Sequence, residues 1–133
     1  MLTKPPLHSD LQSARAAHAA PHVDLARFRT DLREAGVEDI IGTLLQTFVE
    51  DAPARFAALE QAVKEGNANA VESAAHAFKS GAGTIRATVL ADGLAQAEAM
   101  GHAGKLESMS ALLEQIRHEC LAVVRELEAT PQK

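Results

Sequence analysis

From Asp24 onward, apolar residues recur at spacings of three and four, the period of helices that bury one face. Asp24 can cap a first short helix through Leu25, Phe28 and Leu32, closed at Gly36. A second short helix is predicted from Glu38 to Glu50, with Ile40 or Ile41, Leu44, Leu45 and Phe48 on one face. Asp51 with Pro53 just behind it reads as a new helix start, leading through Phe56, Leu59 and Val63 to Gly66. Asn67 restarts the chain into a helix holding Val71, Ala74, Ala75 and Phe78, and another carries Leu90, Leu94 and Ala97 before Gly101 and Gly104. In the last helix Leu106, Met109, Leu113, Ile116, Cys120, Val123 and Leu127 form an a/d-type seam about six turns long.

No stretch alternates as a strand would, and the connections are short, which makes successive long helices antiparallel neighbours. The pattern predicts an all-α protein: an up-and-down antiparallel four-helix bundle with two shorter N-terminal helices. The bundle helices are expected at Asp51–Glu65, Asn67–Gly83, Ala87–Met100 and Lys105–Glu128. Residues 1–21, punctuated by Pro5, Pro6 and Pro21 and lacking a sustained period, are expected to be a flexible N-terminal tail, leaving residues 22–130 as the domain.

Composition narrows the functions. The chain has 133 residues, 47% of them hydrophobic and 23% charged, which suits one globular domain. Trp and Tyr are absent, there are only four Phe and the net charge is −5, which argues against base-stacking platforms and against the basic balance of a phosphate-backbone binder, so nucleic acid is disfavoured as a partner. The single cysteine excludes an intrachain disulfide, and its place on the last seam makes Cys120 a small buried hydrophobe. No apolar run approaches the ~18 residues of a membrane helix. The first residues lack the apolar stretch of a secretory signal, so a cytoplasmic location and no membrane partner are expected. The inward stripes carry no Glu-x-x-His pairs of the di-metal bundle type, so no metal or other cofactor is expected on this chain, and His102 and His118 read as surface residues.

His76 stands apart. At about 100° per residue it points some 160° away from Phe78 and about 140° from Val71, which puts it on the solvent face of its helix. One turn away lie Glu72 and Ser73 on one side and Lys79 and Ser80 on the other, with Gly83 further along the same face. A neutral imidazole is a good nucleophile toward phosphorus. Lys79 beside it disfavours the imidazolium and can accompany a phosphoryl group once attached. Small residues at positions 73, 80 and 83 would let another protein's active site reach the ring. Spacing alone favours the plainer reading, a solvated helix face on which the histidine is incidental, since surface histidines are common.

The segment Ala75-His76-Ala77-Phe78-Lys79-Ser80-Gly81-Ala82-Gly83 resembles the signature of histidine-containing phosphotransfer (HPt) domains, in which an Ala-His pair is followed by one residue, an apolar residue and Lys. The similarity extends through Gly36-Val37-Glu38-Asp39, Leu44-Leu45, Phe48, Asp51-Ala52-Pro53 and Lys64-Glu65-Gly66-Asn67, and downstream through Leu90, Leu94, Ala97-Glu98 and the last helix, covering about residues 22–128. The chain departs from that pattern at Ser80 and Arg86, where the family usually has glycine. The resemblance implies His76 as phosphoacceptor, Lys79 as electrostatic support for the phosphoryl group, and Glu72, Ser73, Ser80, Gly83 and Arg86 as partner-docking residues. It implies response-regulator receiver domains as partners, together with a hybrid sensor kinase, and a divalent metal held by the receiver.

The expected function is that of a monomeric phosphorelay intermediate with no ATP-binding or kinase domain of its own, since Gly81-Ala82-Gly83 follows a helix and lacks the rest of a P-loop. Two alternatives stand beside it. One is the phosphoacceptor domain of a chemotaxis-type or hybrid sensor histidine kinase; the other is a non-catalytic helical adaptor.

Overall fold

The computed structural model describes residues 22–129, so the expectations for residues 1–21, including the tail, lie outside it. Among the described residues there are five α-helices and no strand: α1 (Leu25–Ala35), α2 (Ile41–Lys64), α3 (Ala68–Thr84), α4 (Thr88–Ala103) and α5 (Met109–Ala129). α3 packs on α2 and α4, and α5 packs on the same two, so these four helices close a ring around the core.

Each helix buries one stripe. Val71, Ala75, Phe78 and Ala82 of α3 face Leu45, Phe48, Ala52 and Leu59 of α2, Leu90, Leu94 and Ala97 of α4, and Met109, Ile116, Val123 and Leu127 of α5 across the core. The Phe48 and Phe78 rings are tilted at 34° with centroids 6.2 Å apart, a favourable offset arrangement. Fully burying a side chain of this size contributes roughly 1.5–3 kcal/mol. Alanine and glycine in the stripes let helices approach closely. At Gly101 a Cβ would stand 2.7 Å from the backbone nitrogen of Glu72 and 3.0 Å from the Ala68 carbonyl oxygen, so only glycine permits the observed spacing of α3 and α4.

The expected break at Asp51 is absent. One 24-residue helix runs from Ile41 to Lys64 with Pro53 inside it, and the second short helix expected from Glu38 to Glu50 reduces to a 3₁₀ turn at Glu38–Ile40 followed by the first half of α2. Proline in a helix interior removes one i→i−4 hydrogen bond and costs about 3 kcal/mol. Here the apolar stripe continues on both sides of it, with Phe48 and Ala52 before and Leu59 and Ala62 after all buried, and Pro53 itself faces solvent. Core burial outweighs the local penalty. The last helix likewise begins at Met109, later than expected, and its buried stripe takes Leu112 in preference to Leu113.

Four helix ends share one closure. α1, α2, α3 and α4 are each followed by a left-handed residue, respectively Gly36 (φ 77°), Gly66 (φ 67°), Arg86 (φ 65°) and Gly104 (φ 70°). After α3, the Arg86 N–H donates to the Gly83 carbonyl (3.1 Å) and the Ala87 N–H to that of Ala82 (2.9 Å), the paired bonds of a Schellman motif. Arginine at a left-handed position costs roughly 1 kcal/mol that glycine would not. The side chain offsets it: Nε donates to Asp31 Oδ2 of α1 at 2.9 Å, and a second guanidinium nitrogen reaches the same oxygen. The Arg86 carbonyl also accepts from the Asp24 N–H at 3.2 Å, so the end of α3 clasps the start and the middle of α1. At the other side of that segment, the Glu126 carboxylate accepts from the backbone N–H groups of His22 (2.7 Å) and Val23 (3.4 Å).

Candidate functional site

α3 starts at Asn67, whose side chain accepts from the Ala70 N–H and caps the helix, and its phase follows from the buried stripe. That phase turns His76 outward: its side chain is 63% exposed, while Ala75 and Phe78 on either side are buried. The sequence expectation for this residue's orientation therefore holds.

The exposed ring is not unattended. Its Nδ1 lies 2.9 Å from Glu98 Oε2 of α4, and the other oxygen of the same carboxylate accepts from Lys79 Nζ at 2.5 Å. The Lys79 ammonium bonded to it holds the Glu98 carboxyl below the usual carboxylate range, and the His76 bond acts in the same direction, against partial desolvation. An ionised carboxylate can only accept, so Nδ1–H of His76 is the donor in this contact, and in the neutral ring that tautomer leaves the Nε2 lone pair free. Lys79 was expected to act on the imidazole directly. Instead its charge is met by Glu98, and it reaches His76 through a shared carboxylate.

Glu98 is the partner of His76 that helical spacing on α3 could not reveal, because it comes from the neighbouring helix. A signal was present: Asp92 and Glu98 are the only carboxylates of α4, and Glu98 directly follows the buried Ala97. The partly buried Glu98 side chain is 22% exposed, so it braces the ring from beneath the surface.

The remaining candidates divide. Ser73 and Ser80 are exposed, and nothing lies within 4 Å of where a Cβ on Gly83 would sit, so this face of α3 is open. The Ser80 hydroxyl donates back to the His76 carbonyl at 3.1 Å, which keeps it low on its own helix. Beside Ser80 a groove of about 270 Å³ runs between α2 and α3, walled by Leu44, Phe48, Ala77 and Phe78 with Asp51 and Arg55 from α2. Arg86 is engaged with Asp31, and Glu72 turns to α4, where its Oε2 lies 3.0 Å from His102 Nδ1. The pairs Glu72–His102 and His76–Glu98 show that α3 and α4 run antiparallel.

Among the described residues no group of three or more His, Cys, Asp or Glu side chains is placed to hold a metal ion, and no helix is long and apolar enough to cross a membrane. Cys120 is buried, and desolvation pushes its thiol up to about 11, which keeps it from acting as a thiolate.

The helical bundle thus presents, at mid-helix, an exposed histidine whose bracing carboxylate also holds a lysine. The Hpt domain family model matches residues 43–126, and the chain belongs to the Hpt domain family. It is similar to the crystal structure of histidine-containing phosphotransfer protein B (HptB) from Pseudomonas aeruginosa PAO1, with 34% identity, a TM-score of 0.75, and coverage of 84% of this chain and 95% of that chain. No curated protein matches the chain. The protein is a histidine phosphotransfer protein of a phosphorelay, a reading favoured over both the kinase-derived domain and the adaptor.

Proposed function

We propose that His76 is the phosphoacceptor, carrying a phosphoryl group from an aspartyl phosphate on one response-regulator receiver domain to the aspartate of another. The observation that carries this reading is the shared carboxylate of Glu98, which braces Nδ1 of the exposed His76 ring with one oxygen and holds the Lys79 ammonium beside it with the other. Nε2 attacks phosphorus in line, the P–O bond of the acyl phosphate breaks, and the receiver's carboxylate leaves with the bond electrons. The ring then bears positive charge, which the Glu98 carboxylate stabilises through Nδ1–H. Lys79 has donors beyond the one given to Glu98 and can offer them to the phosphoryl oxygens. Reversal of the same steps delivers the group onward. The divalent metal of this chemistry belongs to the receiver.

Ser73, Ser80 and Gly83 provide the low surface over which a receiver reaches the ring, and the α2–α3 groove beside Ser80 gives it an apolar foothold. Arg86 lies at the far end of this face. The up-and-down antiparallel arrangement expected for the four ring-forming helices is supported by their short connections and by the α3–α4 pairing. Residues 22–130 form the working domain, acting as a monomer. A cytoplasmic setting accords with a lone cysteine that has no partner within the chain. A hybrid sensor kinase is the natural first donor of such a relay.

The test is phosphotransfer from a panel of phosphorylated receivers to wild type and to His76→Gln. Acid-labile, base-stable label should appear on the wild type and be absent from the variant; label persisting on His76→Gln would refute the assignment.

A further inference from the structure

Glu72 sits four residues before His76, which makes the two side chains neighbours on one helix face, with Cβ atoms about 5–6 Å apart. A glutamate so placed has the reach to accept from the imidazole, and its charge repels an anion approaching that ring. In the structure it makes no bond to His76, because its carboxylate is drawn across the α3–α4 seam to His102, away from the imidazole. We propose that His102 is a positioning residue for phosphoryl transfer: by holding the Glu72 carboxylate on α4, it leaves Nε2 of His76 open to an incoming phosphoryl anion. The proposal rests on His76 being the phosphoacceptor.

Three features support it. The close approach that Gly101 permits between the two backbones brings His102, the next residue, within bonding distance of Glu72. His102 can act in either protonation state, since Nδ1–H donates in the neutral ring and the imidazolium both donates and cancels the carboxylate charge. Finally, the charged groups along this seam are Glu72, His76 and Lys79 from α3 and Glu98 and His102 from α4; Lys79 is committed to Glu98, and among the described residues no lysine or arginine bonds Glu72. His102 therefore does for Glu72 what Lys79 does for Glu98.

The experiment uses the full chain and phosphoramidate as a small anionic donor, which separates the approach of the anion from receiver docking. Nε2 attacks phosphorus, the P–N bond breaks and ammonia leaves. His102→Ala should slow labelling about three- to fivefold, the scale of an exposed charge interaction. The double variant Glu72→Gln/His102→Ala should recover the wild-type rate, and His102→Gln, whose amide can still donate to Glu72, should keep most of it. The ¹⁵N shift of His76 Nε2 should move toward the protonated form in His102→Ala and return in the double variant, a response that a purely structural role would not produce. Wild-type labelling by His102→Ala, or a double variant as slow as His102→Ala, would overturn the proposal. If His76→Gln still labels, the phosphoacceptor assignment fails instead, and the two failures are read from different variants.

Discussion

His76 and His102 occupy counterpart positions on the same two helices. Each places Nδ1 about one hydrogen bond from a glutamate on the facing helix, at 2.9 Å for His76–Glu98 and 3.0 Å for His102–Glu72. Both rings are well exposed. A histidine braced by a carboxylate is thus insufficient to mark a phosphoacceptor. What differs is the surrounding chemistry. Glu98 is more buried than Glu72 and has Lys79 as a second partner, so His76 has a cation within reach of a phosphoryl group. His76 also lies at mid-helix amid small residues, whereas His102 stands in the last turn of α4, where the helix dipole is negative and disfavours an attached anion.

The comparison is broken most decisively by exchanging the nucleophile. His76→Gln should lose all acid-labile phosphorylation, while His102→Gln keeps label on the protein, measured by transfer from a phosphorylated receiver. If both variants label alike, the two sites are equivalent and the distinction drawn here fails. Next in size is access: Ser80→Trp, pointing outward one turn from His76, should cut receiver-dependent transfer more than tenfold with an unchanged melting temperature, a loss of over about 1.4 kcal/mol in transition-state stabilisation. A wild-type transfer rate in that variant would place the partner elsewhere.

Glu98→Gln removes the obligate acceptor, since an amide can present either its oxygen or its nitrogen to Nδ1. Transfer should fall about tenfold, the scale of one charge-assisted hydrogen bond, and stopped-flow transfer assays with phosphorylated receiver would read it. Lys79→Ala should slow transfer several-fold, on the order of 1 kcal/mol, without abolishing it. Loss as complete as that of His76→Gln would mean that Lys79 takes part in bond making.

The smallest effect is on pH dependence. The Glu98 carboxyl is lowered from its ordinary 4.5 by Lys79 and His76, so its contribution to stability is present above that value and is lost as the pH falls through the lower, folded-state value. Thermal melts of wild type should therefore drop more steeply below pH 4.5 than those of Glu98→Gln. Parallel curves would show that the carboxylate is not held ionised by its neighbours.

Much of the molecule was legible along the chain, and the exceptions have physical causes. The stripe Val71, Ala75, Phe78 and Ala82 fixed the phase of α3 and hence the outward aim of His76, because burial of one face is written in local spacing. Pro53 misled because its local penalty is real but smaller than the burial on both sides of it. Glu98 and the turning of Glu72 toward His102 depend on which side chains meet across two helices, a long-range fact that periodicity within one helix does not contain. Arg86 stood out along the chain only as a departure from the family's glycine; its backbone conformation and its bonds to Asp31, which close α3, are again long-range facts.

That closure has a consequence for how the protein moves. Arg86→Gly would relieve a left-handed arginine and remove the guanidinium bonds together, two changes of opposite sign and similar size, leaving global unfolding nearly unaltered. The bonds, however, are made to α1, and the relief is felt at the end of α3. Such a variant would redistribute stability without diminishing it, and its signature would be faster amide exchange confined to Leu25–Ala35 in a protein that melts where the wild type does. The glycine usual at this position in the family and the arginine found here thus amount to two settings of how firmly the N-terminal helix is coupled to the helix that carries His76.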